Sequence, residues 1–93
     1  MTNLTSRYIS AVASVAVDHP TRIRGFNVAN AKNALGVFEL RDGTSTSTGD
    51  SKIKININAD GSLDTYLADE GVRFESGVVV STTASVFSTI YFG

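Results

Sequence analysis

The sequence predicts an all-β protein, a small antiparallel β-sandwich or jelly-roll-like domain of seven to eight short strands. Three observations lead there. Runs of alternating apolar and polar residues recur about every ten residues, the rhythm of short strands in sandwiches and barrels. Eleven serines and ten threonines join Val, Ile, Phe and Tyr in a strand-rich composition. Glycine, asparagine and aspartate separate the runs, and proline occurs once, at Pro20. No segment holds a convincing 3.6-residue period, which leaves room only for short helical turns near the N-terminus.

The first run, residues 8–17, sets Ile9, Ala11, Ala13, Val15 and Val17 on one parity and Ser10, Val12, Ser14 and Ala16 on the other. Its alanines suit a helix, but three valines and an isoleucine favour one strand. Asp18-His19-Pro20 reads as a turn. In the second run, Arg22 to Asn30, Ile23 lies between Arg22 and Arg24; after Gly25 the apolar parity moves to Phe26 and Val28. A glycine at a parity shift predicts a β-bulge. Asn30 to Ala34 is a short loop with Asn33 the candidate for positive φ. The third run, Leu35 to Arg41, points Phe38 and Leu40 one way and Val37, Glu39 and Arg41 the other, and Asp42-Gly43 ends it. Thr44 to Asp50 is polar and of low complexity, an expected exposed mobile loop.

The fourth run, Lys52 to Asn58, alternates Ile53, Ile55 and Ile57 with Lys54, Asn56 and Asn58, one face for the core and one for water. Asp60-Gly61 then predicts a hairpin with the fifth run, Ser62 to Ala68. The sixth divides around Gly77 into Val72 to Phe74 and Val78 to Val80. The seventh, Ser85 to Phe92, places Val86, Ser88, Ile90 and Phe92 on one face and Phe87, Thr89 and Tyr91 on the other. Aromatic side chains on both faces of a strand imply cover on both sides, one of them a candidate partner surface.

Ninety-three residues make a single domain, 1–93, in which residues 1–7 form a flexible N-terminal arm. A chain this short buries ~65% of its unfolded surface. With no cysteine there is no disulfide and no thiolate metal site, so oligomerisation becomes a source of stability. The net charge is −1. Arg22 with Arg24, and Lys52 with Lys54, read as solvated strand faces; they lack the interleaved aromatics of single-strand binders, so no nucleic-acid partner is expected. The longest weakly polar run, Ala11 to Val17, is too short to cross a bilayer, and no membrane partner or signal peptide is expected.

Residues suited to chemistry are sparse. His19, the one histidine, sits in a turn, and no Gly-x-Ser-x-Gly elbow presents a nucleophile. Asp69 and Glu70 are adjacent and diverge in extended chain. Asp42 and Asp60 precede glycines as turn formers. Asp42, Asp50 and Asp60 lack the Asp-x-Asp spacing of a calcium loop. Gly43 to Gly49 lacks the lysine of a phosphate-binding loop. The expectation is no catalytic, cofactor or metal site and no enzymatic activity. Sugar stacking on Tyr66 or Tyr91 is the lesser reading of the aromatics.

The strings RIRGFNVAN (Arg22 to Asn30), FELRDG (Phe38 to Gly43) and GVRFESGVVVSTTASVFSTIYFG (Gly71 to Gly93) resemble small β-rich virion structural proteins of tailed bacteriophages, of the cyanophage and marine-phage type. The resemblance spans residues 22–93. The strand Lys52 to Asn58 departs from it, being less apolar than its counterparts. The resemblance implies a capsid decoration (cement) protein that binds the outer shell and stabilises contacts between major capsid protein subunits. It also implies no cofactor, a homotrimer ahead of a dimer, synthesis in the host cytoplasm and residence on the virion capsid surface. The alternatives are a tail, head–tail completion or fibre-base component, and a virion-displayed carbohydrate-binding module. For self-association or capsid contact the candidates are Val78, Val80, Phe87 and Tyr91.

Overall fold

The computed structural model describes residues 5–31, 33–47, 49–67 and 71–93. Among them are nine strands and no helix: β1 (Thr5–Ile9), β2 (Ala13–Val17), β3 (Thr21–Asn30), β4 (Gly36–Asp42), β5 (Asp50–Ile57), β6 (Ser62–Tyr66), β7 (Val72–Phe74), β8 (Val78–Thr82) and β9 (Val86–Phe92). Every pairing is antiparallel. The front sheet runs β1-β9-β3-β6, with β7 continuing the β6 edge along the start of β3; the back sheet runs β2-β8-β4-β5. If β6 and β7 are taken as one interrupted strand, the pairs nest: first with last, second with second-last, third with sixth, fourth with fifth. That nesting is the jelly-roll form of the β-sandwich.

The inner faces meet through alternate residues. Ile23, Phe26 and Val28 of β3 and Ile90 of β9 face Phe38 and Leu40 of β4 and Val78 and Val80 of β8, all buried. Phe26 and Phe38 join the layers directly, their ring centroids 5.2 Å apart. Full burial of each such side chain contributes about 1.5–3 kcal/mol. Alternation placed β5 as expected: Ile53 and Ile55 pack against the core and Ile57 is buried, while Lys54 and Asn56 are exposed.

Gly25 is at a bulge, as its parity shift predicted: β3 pairs with β9 as Ile23↔Phe92 and then Gly25↔Tyr91, skipping Arg24. A second bulge follows Leu40↔Ile53 and releases Lys52 from the ladder. Lys52 Nζ then donates to the Arg73 carbonyl at 3.0 Å and lies 5.8 Å from the Phe74 ring centroid, tying the back-sheet edge to β7. Lys52 and Lys54 are therefore not a pair on one face.

Three local expectations are corrected. The run 8–17 is two strands in opposite sheets, β1 and β2, separated by a bend at 10–12. The parity of the run does not carry through: Ala11 and Ala13 are exposed, and an irregularity between Val15 and Val17 buries Ala16 and Val17 together. The fourth and fifth runs do not form a hairpin: β5 pairs with β4 and β6 with β3. Asp60, with φ 54°, turns the chain from one sheet to the other. Positive φ among non-glycine described residues occurs at Asp60 and Ser85, not at Asn33. Ser85 likewise lies in a crossing between the sheets, from β8 to β9.

Two polar side chains pin connections between the sheets. Asn30, 2% exposed, donates from Nδ2 to the carbonyls of Ala34 (2.9 Å), Ile57 (3.1 Å) and Asn58 (3.2 Å), fastening the end of β3 to the end of β5. Asp42 accepts backbone N–H groups of Glu75 and Ser76 on its two oxygens, each at 2.9 Å, and so closes the β7–β8 turn. Burial works to raise the Asp42 carboxyl, but the N–H groups of Ser76, Glu75 and Gly77 and the charge of Lys52 hold it below the usual carboxylate range.

Candidate interaction surface

The two outer faces differ in chemistry. On the back sheet, Glu39 and Arg41 form an ion pair at 2.9 Å, and Arg41 reaches Ser81 at 3.5 Å. The hydrogen bond from Arg41, then that from Ser51, lowers the Glu39 carboxyl against the effect of burial, with Lys54 adding attraction. That face satisfies its own charges.

The front face is aromatic. Across it, register aligns Ser6, Tyr91, Gly25 and Tyr66 in one row. Gly25 has no side chain, and the Tyr66 and Tyr91 rings stack above it, centroids 6.1 Å apart and 10° from parallel. A Cβ on Gly25 would stand 2.6 Å from the Thr65 carbonyl oxygen, so the backbones approach too closely for any other residue. The next row is Tyr8, Thr89, Asn27 and Asp64; beyond it lie Phe87, Ala29 and Ser62. Tyr66 is 73% exposed and Tyr8 63%. Phe87, Thr89 and Tyr91 are half-buried.

The four candidate residues thus separate. Phe87 and Tyr91 are on this face, where strand parity put them. Val78 and Val80 are 0% exposed in the core and have no surface to offer a partner. In a run of three valines, all buried, parity does not separate inside from outside. Tyr66, three strands away in the sheet from β1, completes the face through register alone, and Tyr8 reaches it from the edge strand. Of the arm, Thr5, Ser6 and Arg7 belong to β1, paired with β9; residues 1–4 lie outside the described residues.

Among the described residues the acidic side chains do not assemble a centre. Asp42 is opposite Asp50 on the β4–β5 ladder, while Asp60 is past the other end of β5. Asp69 and Glu70 lie outside the described residues. His19 is exposed, its Nδ1 3.1 Å from the Pro20 carbonyl. Among the described residues no group of three or more His, Cys, Asp or Glu could hold a metal ion.

Fold and surface define a jelly-roll β-sandwich with a self-satisfied back face and an aromatic front face. No protein-family model, no curated protein and no solved structure matches the chain.

Proposed function

We propose that this chain is a non-enzymatic structural protein of a virion, a capsid decoration protein that docks through its front sheet. The observation that carries the reading is the aromatic face formed by Tyr8, Phe87, Tyr91 and Tyr66 across β1, β9 and β6. Aromatic side chains anchor interfaces because they cover large areas with few rotatable bonds. The rigid antiparallel sheet beneath them keeps the ordering cost of docking low. The resemblance of residues 22–93 to phage virion proteins supplies the partner class, the major capsid protein, together with a second and third copy of the chain.

Copy number and position in a purified particle test this directly. Many copies spread over the shell support decoration; few copies at one vertex or on the tail transfer the proposal to a tail, head–tail completion or fibre-base component. For the face itself, Asn27→Arg is the cleaner variant, since Asn27 is exposed between Thr89 and Asp64 in the middle row of the face. It should abolish particle binding and reduce the mass of any oligomer by light scattering, as should Tyr91→Asp. Unchanged binding by a folded Asn27→Arg protein would refute the front-face interface.

A second reading, a virion-displayed carbohydrate-binding module, draws on one feature: the exposed Tyr66 ring stands beside Asp64 and is stacked on Tyr91. Glycan-array binding that survives loss of both tyrosines would remove Tyr66 and Tyr91 as the sugar site, and no glycan binding by the folded parent would remove the reading.

A further inference from the structure

At the end of the front sheet β9 stops at Phe92, opposite Ile23, while β3 begins two residues earlier. The gap is a notch of about 550 Å³ with His19, Pro20, Arg22, Arg73 and Phe92 on its walls. Arg22 and Arg73 are direct cross-strand partners on the β3–β7 ladder. Like charges in that position repel. Arg22 is half-buried, and among the described residues no carboxylate lies within ion-pair distance of it. Among the described residues Arg73 has one weak partner, Glu75, at 3.6 Å on an exposed edge. Lys52, bonded to the Arg73 carbonyl, is paired with Asp42 at 4.0 Å and leaves the two arginines as the charges of the notch.

We infer that this notch is a binding site for a dianionic oxyanion, a phosphate or sulfate group. Two arginines opposite each other on the ladder, both lining the notch, match two negative charges, and each guanidinium offers paired N–H donors to planar or tetrahedral oxygens. Thr5 and Thr21 also line the notch, and Phe92 with Pro20 supplies an apolar wall. The volume exceeds that of a free oxyanion, leaving space for a group that carries it. This inference is independent of the front-face proposal.

The test is an NMR titration of the folded chain with inorganic phosphate, inorganic sulfate and glucose 6-phosphate, against sodium chloride at matched ionic strength. Saturable shifts confined to residues near 19–22, 73 and 92–93 are expected. Arg22→Gln and Arg73→Gln should each weaken phosphate binding by about tenfold or more, the loss of one charge-assisted contact. The double variant should melt higher than the parent without anion and lose the stabilisation that phosphate confers. Tighter binding of glucose 6-phosphate marks the oxyanion as a terminal group; equal binding marks it as a free ion. Shifts that match those of chloride, or that persist in a folded double variant, overturn the inference.

Discussion

Replacing Asn30 tests the account of how the two sheets are joined. Its two amide hydrogens are shared among three carbonyls, one of them, on Ile57, fully within the interior. Asn30→Ala leaves all three without that donor. The Ile57 oxygen then bears the full cost of an unmet buried acceptor, about 1–3 kcal/mol. The Ala34 and Asn58 oxygens are part-buried and recover water, so their loss is about 0.5–1 kcal/mol each. The sum is about 3 kcal/mol, against about 5–15 kcal/mol for a whole domain. For a chain of this size that lowers the melting temperature by ~12–24 °C. Urea unfolding followed by circular dichroism measures it.

Asn30→Asp sharpens the same test, because shape is kept while both donors become acceptors facing carbonyl oxygens. Burial and those oxygens raise the carboxyl in the folded state above its unfolded value. The folded form then binds the proton more tightly, so stability falls as pH rises, by about 1.4 kcal/mol per pH unit between the two values. The variant should be most stable in acid, opposite to ordinary acid denaturation. An Asn30→Ala loss below about 0.5 kcal/mol, a size typical of surface substitutions, would refute the pinning role.

Two further predictions concern single polar groups. Ser88, 2% exposed, has a buried hydroxyl with no hydrogen-bond partner among the described residues, so Ser88→Ala should raise stability by about 0.5–1 kcal/mol in thermal unfolding. Asp42 has its carboxyl held low by the Ser76, Glu75 and Gly77 N–H groups; its contribution is present above the unfolded value and lost as pH falls through the folded one. Asp42→Asn should cost about 1 kcal/mol at neutral pH and flatten the acid limb of the stability curve.

Much of the local structure was legible because strand periodicity is a local property. The alternation of Ile53, Ile55 and Ile57 placed one face of β5 in the core. The two faces of β9 separated Ile90 from Phe87 and Tyr91. The change of parity at Gly25 located a bulge, and the Ser/Thr-rich, β-branched composition established an all-β chain. These follow from each residue's side alternating with its neighbour's.

Tertiary structure decided the rest. Asp60-Gly61 announces a reversal but carries no record of which sheet receives the next strand, so a sheet crossing looked like a hairpin. Val78 and Val80 looked available for contact because three adjacent valines have no parity signal. The stacking of Tyr66 on Tyr91, the facing of Arg22 and Arg73, and the reach of Asn30 to Ile57 all join residues far apart in the chain. Sequence alone determined that this protein is made of short strands and which side chains turn inward along most of them. Pairing order and register, set by packing between distant segments, decided that the strands nest as a jelly roll and that the aromatic residues share one outer face.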